Sequence, residues 1–157
     1  LSLVFRGSVP GGSAAKSFLL QQAHLEPDRP AYYGRVVRDG DWLPLRGYEA
    51  ALELLSLENR PSAIFCGNDL MAIGAMLDAA ELGLRVPHDF SIVGFDGIDA
   101  GTWTQPQLTT VEQPIDDIAG TAIEALRKLI EAPGQMQPNY VFHPKLRLGG
   151  TTAAPAG

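Results

Sequence analysis

A single cysteine, Cys66, stands in this 157-residue chain, so it cannot be a disulfide-stapled domain: a bridge within the chain needs two. Basic residues are also scarce. Twelve Lys and Arg face 18 Asp and Glu, a net charge of −6, and gripping a phosphate backbone wants clustered positive charge. This segment is therefore not expected to hold nucleic acid itself. Long apolar runs are missing too: the longest uncharged one, 70–77, falls far short of the roughly 20 residues that span a bilayer. The chain opens on "LSLVF", with no initiator Met, no basic leader and no signal-type cleavage site, and it reads as a piece starting inside a strand.

The usual marks of catalysis are absent as well. "GSVPGGSAAKS" invites a phosphate-loop reading, but that motif needs Gly immediately before Lys, and Ala15 precedes Lys16. Histidines 24, 88 and 143 lack metal-ligand spacing, and no Ser sits in a nucleophile-elbow pattern. Cys66, at the end of an apolar strand, reads as a small buried hydrophobe. Neither an enzyme nor a cofactor or metal is expected.

What is present is alternation. Strands are predicted over 2–5, 31–37, 63–66, 91–94 and 108–112. Helices are predicted over 14–23, 44–57, 70–82 and 114–132, with one or two strands in "YVFHPKLRL" and a frayed end after it. Such βαβ order implies a parallel sheet, with ligands bound beyond the C-terminal ends of its strands. At one such end, Asn68-Asp69, Asp69 suits a helix N-cap. Asn68 carries both a donor and an acceptor, fit either for a polyhydroxylated ligand or for stabilising a turn. Asp96 ends "SIVGF", where a carboxylate can accept hydroxyl hydrogen bonds worth about 1.5–3 kcal/mol each. Trp42 follows "RDGD" and offers either a flat face to a sugar or packing under a loop.

"RPSAIFCGNDLMAIGAMLDAAELGLRVPHDFSIVGFDG", then "PQLTTVEQPIDDIAGTAIEAL" and "PKLRLGGTT", together resemble the LacI/GalR family of bacterial transcriptional regulators over about residues 42–152. The resemblance implies an α/β, parallel-sheet, three-layer α/β/α lobe of a periplasmic-binding-protein-like (type I) bilobed fold. Residues 1–112 would form the second, C-terminal lobe. Residues 113–157 would be a crossover helix and strands belonging to the first lobe, most of which is not in this sequence. The implied function is sensing a small effector, sugar-like or nucleobase-like, between the lobes of a cytoplasmic, homodimeric repressor. Operator DNA would be read only by a helix-turn-helix outside this chain, and no membrane partner is implied.

By the same resemblance Asn68, Asp96 and Gln113 match ligand-contacting positions, and Trp42 matches the pocket tryptophan of the galactoside-responsive branch. Lys16 falls near the family's effector-clamping Arg, whose bidentate fork a lysine cannot reproduce. The 70–82 helix would lie near a subunit interface. Leu70, Ile73, Gly74 and Leu77 are expected to face the sheet, leaving Met71, Ala72, Ala75 and Met76 for another subunit. The apolar stripe of helix 114–132 is expected to pack back on the present lobe or to exchange between chains. The rival readings are a solute-binding protein of a sugar transporter and, more remotely, a flavodoxin-like enzyme.

Overall fold

Proline at 44 and glycine at 83 punctuate the described part of the chain, residues 41–58, 60–134 and 138–154 of a computed structural model. Pro44 opens helix α1 (Pro44–Leu55), where the missing N–H costs nothing. Strand β1 (Ala63–Phe65) leads into helix α2 (Asp69–Glu81). Gly83, at φ 70, ends α2 in a left-handed turn: Leu84 N–H donates to the Ala79 carbonyl at 2.8 Å and Gly83 N–H to that of Ala80 at 3.1 Å. Strand β2 (Ser91–Asp96), a single 3-10 turn (Asp99–Thr102), strand β3 (Thr109–Glu112), helix α3 (Ile115–Glu131) and strand β4 (Lys145–Arg147) follow. The predicted strand 2–5, helix 14–23, strand 31–37 and Lys16 lie outside the described residues.

The sheet runs β1-β2-β3-β4. The first three strands are parallel, with Ile64 beside Ile92 and Asp96 beside Glu112, while β4 pairs antiparallel to β3. Mixed but mainly parallel, with helices on it, this is the expected α/β class. It also brings the C-terminal ends of β1, β2 and β3 to one edge.

The core sits between that sheet and α2, with α1 behind. Ala72, Ala75 and Ala79 of α2 are buried in one cluster with Ile64, Phe90, Ile92 and Leu108 and with Ala51 and Leu54 of α1. Two glycines let the helices touch. A Cβ at Gly74 would fall 1.9 Å from the Pro44 carbonyl oxygen, and one at Gly47 would fall 2.2 Å from that of Met71. This overturns the expected division of α2's faces. Met71, Ala72 and Ala75 are buried in the chain's own core and so face no outward surface, while Met76 is partly buried and packs against that core. Leu70 and Leu77, expected to face the sheet, are exposed instead. A helix wedged between a sheet and a second helix needs two apolar faces with no partner chain involved.

Among the described residues helix α3 does not pack back on the lobe. None of its residues is buried, and Ile115, Ile123, Leu126 and Ile130 all stand in solvent. Local pairing sustains the helix: Asp116 and Asp117 lie in its first turn, and Arg127 bonds Glu124 while also pairing with Glu131.

The tail departs from expectation in the opposite sense. Only 145–147 form a strand, yet the "GGTT" stretch is not frayed. Thr151 is fully buried, its hydroxyl accepting from Thr109 N–H at 2.8 Å and donating to the Ile92 carbonyl at 2.7 Å. Its own carbonyl accepts from Ile92 N–H at 2.9 Å. Residues 145–147 thus flank β3 and residues 149–153 close the bottom of the β2/β3 pair, instead of leaving with α3.

Candidate functional site

Three strand ends build the edge: Cys66-Gly67-Asn68 after β1, Asp96-Gly97-Ile98 after β2, and Glu112-Gln113 after β3. At the first, the two polar residues exchange their expected roles. Asn68 is the N-cap of α2, its Oδ1 accepting from Met71 N–H at 2.8 Å, and its Nδ2 donates to the Trp42 carbonyl at 2.9 Å. With both ends of its amide engaged, Asn68 is a buried fastener more than an open arm. Trp42 is brought to it, half-exposed and in a left-handed conformation at φ 71.

Asp69, expected to cap, is instead the first helical residue and is wholly buried. Its Oδ2 accepts the N–H groups of Gly97 at 2.9 Å and Ile98 at 2.8 Å, and its Oδ1 accepts the Thr110 hydroxyl. These partners lie 28 to 41 residues away, which is why the sequence did not reveal them.

At the second and third ends Asp96 and Gln113 meet. Gln113 Nε2 donates to Asp96 Oδ1 at 2.7 Å, and Gln113 N–H donates to the Asp96 carbonyl at 3.2 Å. Asp96 stands at φ 108, a region side chains rarely adopt, at a cost of order 1–3 kcal/mol. Partial burial pushes its carboxyl above the ordinary range; the Gln113 bond opposes that shift and the charge of Asp69 adds to it. Gly97 beside it has φ 79, and a Cβ there would fall 2.6 Å from Glu112 Cγ. Beneath the turn Arg147 donates to the carbonyls of Gly97 at 3.2 Å and Ile98 at 3.0 Å. Arg147 went unremarked in the sequence because nothing local separates it from any other basic residue on a strand.

Asp96 and Gln113 open on a wide hollow that runs along the start of α3, lined also by Ile98, Asp99, Glu112 and Asp116. Trp42 and Asn68 do not line it; they form a second group, tied to the first through Asp69. The arrangement suits binding by hydrogen bonds to hydroxyl or amine donors. It does not suit thiol chemistry: burial, with the charge of Asp69 adding, pushes the Cys66 thiol up to about 12. Among the described residues no group of three or more His, Cys, Asp or Glu could hold a metal ion, and no helix is long and apolar enough to cross a membrane.

Comparison with known proteins gives this geometry a context. Residues 12–152 match the family model for a periplasmic binding protein-like domain. An HTH-type transcriptional repressor PurR of Yersinia pestis (strain Pestoides F) is 38% identical over 138 residues, covering 87% of this chain and 39% of that protein. The chain therefore spans about two-fifths of the length of the curated relatives it matches. Among solved structures, a LacI family transcriptional regulator from Enterococcus faecium with bound ribose superposes with a TM-score of 0.79 at 25% identity, covering 99% of this chain and 57% of that one. A lac repressor dimer bound to operator and the anti-inducer ONPF superposes with a TM-score of 0.75 at 28% identity, over 98% of this chain and 52% of the other.

Proposed function

Because the chain belongs to the periplasmic-binding-protein-like family, as a LacI/GalR-type effector-binding domain, we propose that it senses a small ligand for a DNA-binding repressor. The observation that carries this reading is the Asp96–Gln113 pair, strained into place at the mouth of β2 where β3 passes into α3. A raised carboxyl beside an amide donor offers acceptors and a donor to a hydroxyl-rich or nucleobase-like molecule. Relatives that carry ribose or ONPF point to the same class of ligand.

In this reading residues 1–112 are the second lobe. Residues 113–157 leave it through α3, whose bare stripe is covered by the first lobe, and 145–154 return to fasten the second lobe's sheet. The intact protein is cytoplasmic and homodimeric, reads operator DNA through a helix-turn-helix, and catalyses nothing. Relatives named as repressors favour this over a transporter's solute-binding protein.

Isothermal titration of a chain long enough to carry both lobes, against a panel of neutral sugars and nucleosides, tests the proposal. Binding is expected, and Asp96→Ala or Gln113→Ala should weaken it by about tenfold or more, the worth of a charge-assisted hydrogen bond. Silence across the panel, with operator binding indifferent to every member, would sink the sensing role.

A further inference from the structure

We propose that Asp69 is a positioning residue for this cleft: from the first turn of α2, its buried carboxylate holds the Gly97-Ile98 turn that aims Asp96. The inference rests on the ligand-binding reading above, since it gives Asp96 the role that Asp69 serves.

Asp69 is 0% exposed, and a carboxylate is costly to bury unless its oxygens are bonded. Both are: one takes the two amides of the turn, the other the Thr110 hydroxyl. One side chain thus ties together the start of α2, the exit of β2 and the middle of β3. Room has been made for it. A Cβ at Gly94 would fall 2.2 Å from Asp69 Oδ1, so β2 carries a glycine where the carboxylate lies.

The turn is gripped from its other side as well. Asp69 binds the N–H groups of Gly97 and Ile98, while Arg147 binds their carbonyls. The residue just before, Asp96, stands at φ 108. A backbone in that region relaxes unless its surroundings over-determine it, and these bonds supply that determination. Packing alone would have been served by an apolar residue at 69. A charged one with three donors converging on it fits the task of fixing a turn.

Nuclear magnetic resonance on the 157-residue chain without ligand provides the test. In Asp69→Asn the amides of Gly97 and Ile98 should exchange about tenfold faster or more, while those of Ile92 and Ala75 keep their protection. The Gln113 side-chain amide should also lose its Overhauser contact with the Asp96 β-protons. Thr110→Val removes a buried hydrogen bond but leaves both turn amides held, so it should keep that contact. A contact that survives in Asp69→Asn, or is lost equally in Thr110→Val, overturns the proposal. Asp69→Ser, shorter and uncharged, takes the place of the amide variant should that variant not fold, and the same outcomes decide. No ligand enters the measurement, so an empty sugar and nucleoside panel would refute the sensing reading without touching this result.

Discussion

Asp78 is the residue whose burial the cleft does not explain. It is 1% exposed on α2, and neither carboxylate oxygen has a hydrogen-bond partner among the described residues. Nearby, the Tyr48 hydroxyl bonds Glu81 at 2.7 Å. Burial first, then the charge of Glu81, pushes the Asp78 carboxyl above its ordinary range. A carboxyl raised in the folded state favours folding when protonated. That contribution is complete below the unfolded-state pKa of about 3.9 and is lost as pH rises through the higher folded value. Asp78→Ala should therefore stabilise the chain by about 1–2 kcal/mol at pH 7, with the gain fading as pH falls toward 4. Urea unfolding at the two pH values checks it. Such residues mark the limit of reading by type. The sequence showed a polar pair at the mouth of β1, but not which member caps the helix. Asn and Asp cap about equally well, and a one-residue shift exchanges their roles.

At the scale of elements, strand and helix order was legible because periodicity and the punctuation of Pro44, Gly83 and Pro114 are local signals. The predicted helix 70–82 and the observed Asp69–Glu81 differ by one residue at each end. Which face of that helix meets what was not legible. The reason lies 24 residues upstream of Met71 at Gly47, where α1 comes into backbone contact. Gly74→Ala gains intrinsic helix propensity, about 1 kcal/mol. Its methyl must nevertheless displace the Pro44 carbonyl, and overpacking of that kind costs about 1–3 kcal/mol, more here because the obstacle is backbone. A net loss of stability in urea titration is expected. A gain would mean that the helices separate freely.

Over the whole molecule, the parallel sheet and its ligand edge followed from βα alternation, whereas the stitching of the tail did not. A Thr-Thr pair near a chain end reads as polar and loose until β2 and β3 are seen to leave a gap that it fills. Helix α3 poses the converse case, an amphipathic stripe correctly read from spacing but left bare in this chain. Ile123 and Ile130 are each 71% exposed, so replacing both with Asp disturbs little packing. Stability should change by no more than about 0.5 kcal/mol per site. Self-association of the chain at high concentration, followed by sedimentation velocity, should fall, because exposed apolar patches of this size invite a partner. Unchanged sedimentation would show that the stripe drives no association.

The buried Thr151 also governs when this chain can fold. Its bonds to Thr109 and Ile92 join positions 42 and 59 residues apart, and they close the same strand pair that carries Asp96 and Thr110. Contacts so distant in sequence must absorb loop-closure entropy before they return anything. Helices can form and strands pair before that, yet the sheet's lower end stays open until Thr151 is in place. The sheet is thus sealed at the end opposite the cleft, by a residue far along the chain from the strands that it joins.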